Sequence, residues 1–164
     1  LIDDLLTYSR VGRSEIKLQP VPLTGVMGEV CDRLFSRIEE ENATVTTDEL
    51  PTVRGDMTLL TQLFQNLVGN AIKFHSDELP EVKISAEKKD GNWVFSVADN
   101  GIGIDLKYED RIFQMFQRLH NRTEFSGNGL GLALCKRVVE RHGGDIWIAP
   151  TESPGTTIQF SIPA

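Results

Sequence analysis

The sequence has little of several features whose abundance would mark a class of protein. Only two of its 164 residues are cysteine, and acidic residues outnumber basic ones by 24 to 17, giving a formal net charge of −7. A domain with a sequence pI near 5.0 is poorly suited to nucleic acid or to an anionic membrane, because both require a basic face. No apolar run approaches the ~20 residues of a membrane span. We therefore expect no nucleic acid partner and no direct membrane contact.

The two cysteines, Cys31 and Cys135, lie in segments with a helical pattern and lack metal-ligand spacing. We expect both to be reduced thiols in or near the core of a bacterial cytoplasmic protein. With 40% hydrophobic residues, the chain is long enough for one domain with a substantial core. Leu1 is not an initiator methionine, which indicates a piece of a longer protein.

Hydrophobic periodicity predicts an α/β sandwich with one mixed, largely antiparallel sheet and helices on one face. The strongest helical pattern covers 56–74, with Asp56 suited to the N-cap position. Other helices are predicted at 23–40, within 104–116, and at 130–142, the last ending at Gly143-Gly144. Strands are predicted at 16–22, 44–47, near Val53, and at 82–86, 93–98, 145–149 and 156–162. Turns are predicted at 89–92 and 153–155, and a mobile loop at 119–128.

A polar stripe interrupts the apolar helix predicted at 56–74. Asn66, Asn70 and Lys73 are separated by four and then three residues, which places them on one helix face. Two amides and an ammonium group suit a metal–triphosphate: Asn70 can offer its oxygen to Mg²⁺, and Lys73 a positive charge to a phosphate. The alternative is an ordinary solvated face at the end of the helix.

Asp99 follows an apolar strand and precedes the sequence Asn-Gly-Ile-Gly. A carboxylate at this position can accept a hydrogen bond from the exocyclic amine of adenine, and it would repel the carbonyl oxygen of guanine. Glycines beside it allow the backbone to approach the base. The alternative is a plain Asp-Gly turn.

A second glycine cluster, Gly127-Asn128-Gly129-Leu130-Gly131, leads directly into the helix predicted at 130–142. Backbone N–H groups at such a junction can converge on phosphate, and the helix N-terminus favours negative charge. The sequence has no Gly-Lys-Ser/Thr and no His-Arg-Asp or Asp-Phe-Gly, which excludes a P-loop and a eukaryotic-type protein kinase. The alternative is a glycine-rich hinge without a ligand.

In this order and spacing, the segments resemble the catalytic, ATP-binding domain of sensor histidine kinases, a branch of the GHKL ATPase family. Asn66–Lys73 is similar to the family's N box and Asp99–Ile104 to its first glycine box. Ile112–Phe116 is similar to the F box, and Gly127–Leu132 to the second glycine box. The segments Phe116–His120 and Val138–Trp147 resemble the phytochrome-type subgroup. The resemblance implies the Bergerat two-layer α/β sandwich.

The resemblance also implies roles for individual residues. Nucleotide contacts would come from Asn70, Lys73, Asp99, Gly101, Gly103, Ile104, Phe116, Arg118, Gly127, Gly129, Leu130, Gly131, Leu132 and Thr156 or its neighbour Thr157. Asn70 would hold Mg²⁺, and Asn66, Lys73 and Arg118 would be the catalytic residues. The ATP lid would span 117–128, where Arg122 is a further candidate.

The sequence departs from the family pattern in two respects. Asn128 stands where many members carry threonine, and His75, His120 and His142 are not in a phosphoacceptor context. In the family, the acceptor histidine lies on a preceding dimerisation domain. Residues 1–12 resemble the end of that domain's second helix, which leaves 13–164 as the catalytic domain.

The same resemblance implies two partners, the dimerisation domain and a response regulator receiver domain. It also implies a homodimeric parent protein and a monomeric fragment.

Related ATPases carry a glutamate one turn before the metal-binding asparagine, where this chain has Asn66. An amide cannot act as the base for water attack, which favours a kinase. A degenerate binding module and an anti-sigma Ser/Thr kinase are the remaining alternatives.

Overall fold

The structure, a computed structural model, describes residues 6, 9–11, 15–104, 109–114, 131–151 and 154–164. The helices are α1 (Leu23–Arg33), α2 (Phe35–Glu40), α3 (Met57–Lys73), α4 (Glu109–Ile112) and α5 (Gly131–Arg141). The strands are β1 (Gln19–Pro22), β2 (Thr44–Thr47), β3 (Thr52–Gly55), β4 (Glu81–Lys89), β5 (Asn92–Asp99), β6 (Ile146–Ala149) and β7 (Thr157–Pro163). Leu6 and residues 9–11 are also helical.

The main sheet has five strands in the order β2-β4-β5-β7-β6. Only the β2–β4 pair is parallel, and the other neighbours are antiparallel. Along β4 the buried Val82 and Ile84 alternate with the exposed Lys83, because successive side chains of a strand point to opposite faces. The expected mixed, largely antiparallel sheet is confirmed.

The prediction of a single sheet was wrong, because β1 and β3 form a separate antiparallel pair. Strand β1 contains Pro20 and Pro22, which lack the N–H needed to bond neighbours on both sides. Val21 on β1 and Val53 on β3 are nevertheless buried and belong to the common core.

Helix α3 begins where the sequence predicted. Asp56 is its N-cap, and Asp56 Oδ1 accepts a hydrogen bond from the N–H of Leu59 at 3.1 Å. The buried face of α3 packs on the sheet through Phe64, whose ring meets Phe95 and Phe160 edge-on at centroid distances of 6.1 and 5.5 Å. This aromatic cluster fixes α3 on the centre of the sheet.

The helix predicted at 23–40 is interrupted at Leu34, where φ is −96° and ψ is 6°. Its apolar residues after Val26 recur every four positions, and such a stripe drifts around a straight helix with 3.6 residues per turn. The break between α1 and α2 lets Leu34 stay buried and Ile38 pack against the core. No proline or glycine marks it in the sequence.

Two predicted backbone reversals are confirmed. The β4–β5 turn has Asp90 at φ 52° and Gly91 at φ 79°, as a two-residue hairpin requires. Helix α5 ends in a Schellman motif: Gly144 N–H donates to Val139 C=O and Gly143 N–H to Glu140 C=O, each at 3.0 Å.

Both cysteines are free thiols, Cys135 buried and Cys31 half-buried, as expected. Among the helices of the described ranges, none is long and apolar enough to cross a membrane.

Replacing Phe64 with alanine should destabilise the domain by about 3–5 kcal/mol, because the cavity lies within the aromatic cluster. The measurement is urea unfolding followed by circular dichroism. Phe35→Ala is the matched control, since Phe35 is 57% exposed and its removal should change stability by less than about 0.5 kcal/mol. Equal losses in the two variants would contradict this description of the core.

Candidate nucleotide-binding site

Asp99 ends β5 and is held by backbone donors from two directions. Its Oδ1 accepts hydrogen bonds from the N–H of Gly101 at 2.9 Å and of Thr156 at 3.1 Å. Burial raises the pKa of the carboxyl group, while the two N–H groups act in the opposite direction. No described residue donates to Oδ2. One oxygen of Asp99 is thus fixed by the fold, and the other can accept from a ligand.

The turn after Asp99 lies directly against the end of α3. Ile102 N–H donates to the carbonyl oxygen of Phe74 at 3.1 Å. A Cβ at Gly101 would overlap that same carbonyl oxygen, so only glycine allows this approach. The contact holds the first glycine box beside the end of the N box.

Gly155 brings the start of β7 to Asp99. Its φ of +114° disfavours any other residue, and a Cβ there would overlap the carbonyl oxygen of Asp99. The next residue, Thr156, donates its N–H to the Asp99 carboxylate. Its carbonyl oxygen accepts a hydrogen bond from the N–H of Asp99 at 2.9 Å. Thr156 rather than Thr157 is therefore the threonine next to the carboxylate.

A cavity of about 450 Å³ adjoins these residues. This volume is in the range of small-molecule sites. Predicted contact residues Gly103, Ile104 and Thr156 line it, together with Ile102, Ile148, Ala149, Pro150, Thr151, Pro154 and Gly155. Its exposed surface is somewhat more polar than apolar, so apolar side chains that could pack on a flat base lie beside polar groups that could bond to its edge.

The polar stripe of α3 faces the beginning of α5. A Cβ at Gly131 would lie 3.8 Å from Asn70 Nδ2 and 3.9 Å from Asn66 Oδ1. Glycine at this position leaves room between the amides and the first turn of α5. The structure therefore brings the N box and the last glycine of the second glycine box together, and Leu132 follows, partly buried against the core.

Lys73 lies in the last turn of α3, half-buried, with its Nζ 5.3 Å from the centroid of the Phe74 ring. Attraction between the ammonium group and the aromatic face contributes to holding Lys73 at this end of the helix. Phe74 is also the residue whose carbonyl oxygen anchors the glycine turn.

Several predicted site residues fall outside the described ranges. They are Phe116, Arg118, Gly127, Gly129 and Leu130, with Arg122 and the rest of the expected lid at 117–128. Their assignments stay predictions. The described members form two groups. Asn66 and Asn70 lie beside Gly131, and Asp99 lies beside Gly101 and Thr156; the carbonyl group of Phe74, at the end of α3, links the second group to α3.

Asn100 is a site-supporting residue that the sequence reasoning did not single out. Its Nδ2 donates to the carbonyl oxygen of Leu79 at 3.0 Å, and its Oδ1 accepts the N–H of Glu81 at 2.9 Å. This side chain ties the segment before β4 to the turn that carries Asp99. The available signal was the tendency of asparagine to bond nearby backbone at turns, but its partners lie about twenty positions away.

A family model for the histidine kinase-, DNA gyrase B- and HSP90-like ATPases matches residues 55–164, more than half of the chain. The chain belongs to this family. The match includes every described residue of the site. The fold and the ordered motifs are those of the ATP-binding catalytic domain of two-component histidine kinases, as the sequence predicted.

The chain is 48% identical to cyanobacterial phytochrome A of Nostoc over 99% of its own length. It spans only 21% of that relative. The expected likeness to the phytochrome-type subgroup is thereby confirmed.

Two solved structures have the same fold. Full-length ShkA in complex with AMPPNP has a TM-score of 0.83 at 31% identity, covering 99% of this chain and 35% of that one. Histidine kinase ThkA in complex with the response regulator protein TrrA has a TM-score of 0.75 at 26% identity, covering 99% of this chain and 46% of that one.

Gly155→Ala should destabilise the domain by about 1–3 kcal/mol, because the new methyl group must displace the Asp99 backbone. It should also weaken binding of an ATP analogue, since Thr156 N–H moves away from the carboxylate. Chemical unfolding and calorimetric titration measure the two effects.

Gly28→Ala is the matched control, because Gly28 lies within α1 with no atom near its missing Cβ. It should stabilise the domain by about 0.5–1 kcal/mol and leave affinity unchanged. Unchanged affinity in Gly155→Ala would show that the β7 start does not support Asp99.

Proposed function

We propose that the chain binds Mg²⁺–ATP and that, in its parent protein, it passes the γ-phosphoryl group to a histidine of a dimerisation domain. One observation carries the proposal. The amides of Asn66 and Asn70 face Gly131, and the same helix end is bonded through Phe74 to the turn that carries Asp99. Base-reading and phosphate-binding groups are thereby brought to one end of α3.

In this proposal Asp99 reads the base. Its carboxylate accepts a hydrogen bond from the exocyclic amine of adenine through Oδ2, while Oδ1 remains on its two backbone donors. Burial increases the strength of such a bond and its cost when unpaired, which supports selectivity for adenine over guanine. Gly101, Gly103, Ile104 and Thr156 form the apolar walls and backbone edges around the base.

In the same proposal, the charge of the triphosphate is neutralised by groups near the end of α3 and the start of α5. Lys73 provides a point charge, and Gly129, Leu130 and Gly131 provide backbone N–H groups at the start of α5. Arg118 completes the set as a contact to the γ-phosphate. Phosphoryl transfer then relies on positioning and electrostatic stabilisation rather than on acid–base chemistry.

The residues present fit a magnesium ion that arrives with the nucleotide. Within the described ranges no cluster of three or more histidine, cysteine, aspartate or glutamate side chains could hold a metal ion alone. Mg²⁺ takes few protein ligands and keeps phosphate oxygens and waters, so one neutral amide oxygen from Asn70 suffices. When bound, the ion would neutralise phosphate charge.

Asn66 favours phosphoryl transfer to a positioned nucleophile over hydrolysis. It occupies the helical turn before Asn70, and its amide has no basicity with which to activate water. We therefore expect the chain alone to release ADP more slowly than about once per second, the lower end of ordinary turnover. A coupled assay for ADP tests this, and faster steady release would favour an ATPase.

The wider arrangement is part of the same proposal. Residues 1–12 end the dimerisation helix, 13–164 are the catalytic domain, and the parent is a homodimer whose isolated fragment is monomeric. The complex of ThkA with TrrA supports a response regulator as the second partner. Dependence on ATP supports a cytoplasmic location.

Asp99→Asn should lower ATP affinity by roughly tenfold to a hundredfold, because a charge-assisted hydrogen bond to the base is lost. Calorimetric titration with ATP, with and without Mg²⁺, measures this, and omission of Mg²⁺ should also weaken wild-type binding.

The matched control is Asp90→Asn. Asp90 is exposed in the β4–β5 turn at φ 52°, a conformation that asparagine also accepts. Near-normal ATP binding by Asp99→Asn would refute the assigned adenine contact. Absence of binding by the wild-type chain would favour a degenerate binding module.

A further inference from the structure

His142 lies at the end of α5 with 8% of its surface exposed. Its Nε2 accepts the backbone N–H of Asp56 at 3.0 Å, and its Nδ1 lies 2.7 Å from the carbonyl oxygen of Val138. A backbone N–H can only donate and a carbonyl can only accept, so Nε2 must be unprotonated and Nδ1 must carry the proton. Both hydrogen bonds are satisfied only by the neutral ring.

The two ends joined by His142 belong to the helices that form the phosphate side of the site. Asp56 is the N-cap of α3, and His142 follows the last residue of α5. Midway along the interface, Cys135 Sγ lies 3.9 Å from the carbonyl oxygen of Leu63. At the far end Gly131 faces Asn66 and Asn70. The helices are therefore antiparallel, and His142 closes the end opposite the nucleotide.

Little free space surrounds this joint. A Cβ at Gly55 would lie 2.7 Å from Leu60 Cδ1 and 3.0 Å from the His142 ring. Asp56 is fully engaged as well, with Oδ1 on Leu59 N–H at 3.1 Å and Oδ2 facing Lys17 N–H at 3.3 Å. The joint thus connects α5, α3 and the segment before β1 through two residues.

We propose that His142, as a neutral imidazole, is a positioning residue that fixes α5 against α3 and so sets the spacing of Gly131 from Asn66 and Asn70. Protonation of Nε2 removes the acceptor for Asp56 N–H and loosens this arrangement. The inference rests on the proposed ATP site and adds a proton-sensitive control to it.

The direction of the pH effect follows from the surroundings of the ring. Burial is the main cause that lowers the pKa of His142 below its ordinary value of 6.5, and the charge of Arg141 acts the same way. The carboxylate of Asp56 and the Val138 carbonyl act in the opposite direction. Among the described residues, Asp56 and Arg141 are the charged groups acting on the ring. When His142 is buried against Asp56, its ring binds a proton less readily than when this contact is open. The contribution of the contact to stability is therefore complete above pH 6.5 and is lost as pH falls below that value.

The test is the affinity of the full 164-residue chain for the ATP analogue AMPPNP with Mg²⁺ between pH 5.5 and 8, in wild type, His142→Gln and His142→Leu. Glutamine can accept from Asp56 N–H without titrating, so its affinity should match wild type at pH 8. Wild type should then lose roughly threefold more affinity than His142→Gln at pH 5.5. Leucine fills the space but leaves a buried N–H unpaired, and it should bind more weakly at every pH.

His75→Gln is the matched control. His75 is a half-exposed histidine beyond the opposite end of α3, where its Nε2 lies 2.9 Å from Glu41 Oε2. It should keep the wild-type pH profile, and titration of the nucleotide itself is common to all variants. The proposal is overturned if His142→Gln shows the wild-type profile, or if His142→Leu folds and binds normally.

A second readout does not depend on nucleotide. In a Cys31→Ser background, the labelling rate of the buried Cys135 by a disulfide reagent reports opening between α3 and α5. The ratio of the wild-type rate to the His142→Gln rate should rise as pH falls. A constant ratio would overturn the proposed role of His142 between α3 and α5. A rising ratio without AMPPNP binding would support that role and would refute the proposed ATP site instead.

Discussion

The burial of one face of α3 against the main sheet is the constraint on which the candidate site depends. Leu60, Phe64 and Leu67 are almost completely inaccessible, so the rotation of the helix about its axis is fixed by the core. With that rotation set, Asn66 and Asn70 must face the beginning of α5. The same packing that stabilises the domain therefore orients the two amides for which we propose a role at the phosphates.

Features that depend on neighbours in sequence could be predicted. The start of α3 follows from aspartate at the N-cap, the β4–β5 turn from Asp90-Gly91, and the end of α5 from paired glycines. In each case a few residues fix the local backbone whatever the surrounding fold. The ordered motifs then identified the family, because each is weak evidence alone but their order and spacing together are specific.

Features that depend on distant partners could not be predicted in the same way. The donors that fix Asp99 include Thr156, 57 residues away, and Asn100 bonds to a segment about twenty residues before it. Neither partner leaves a local signal. The break at Leu34 arises from the drift of an apolar stripe relative to the core, which is visible only when the position of the core is known.

The charge state expected for His142 from its position in the sequence differs from the one that its contacts in the fold require. A histidine at a helix end is ordinarily explained as a cation that interacts with the last carbonyl groups. Here the fold buries the ring and gives Nε2 a donor from another helix, which is compatible only with the uncharged form. A buried acceptor of this kind can transmit position as well as stability, because α3 and α5 share it at one end and, in the proposed site, hold the nucleotide at the other. In that proposal, nucleotide binding and the neutral form of the ring are coupled, so that each favours the other.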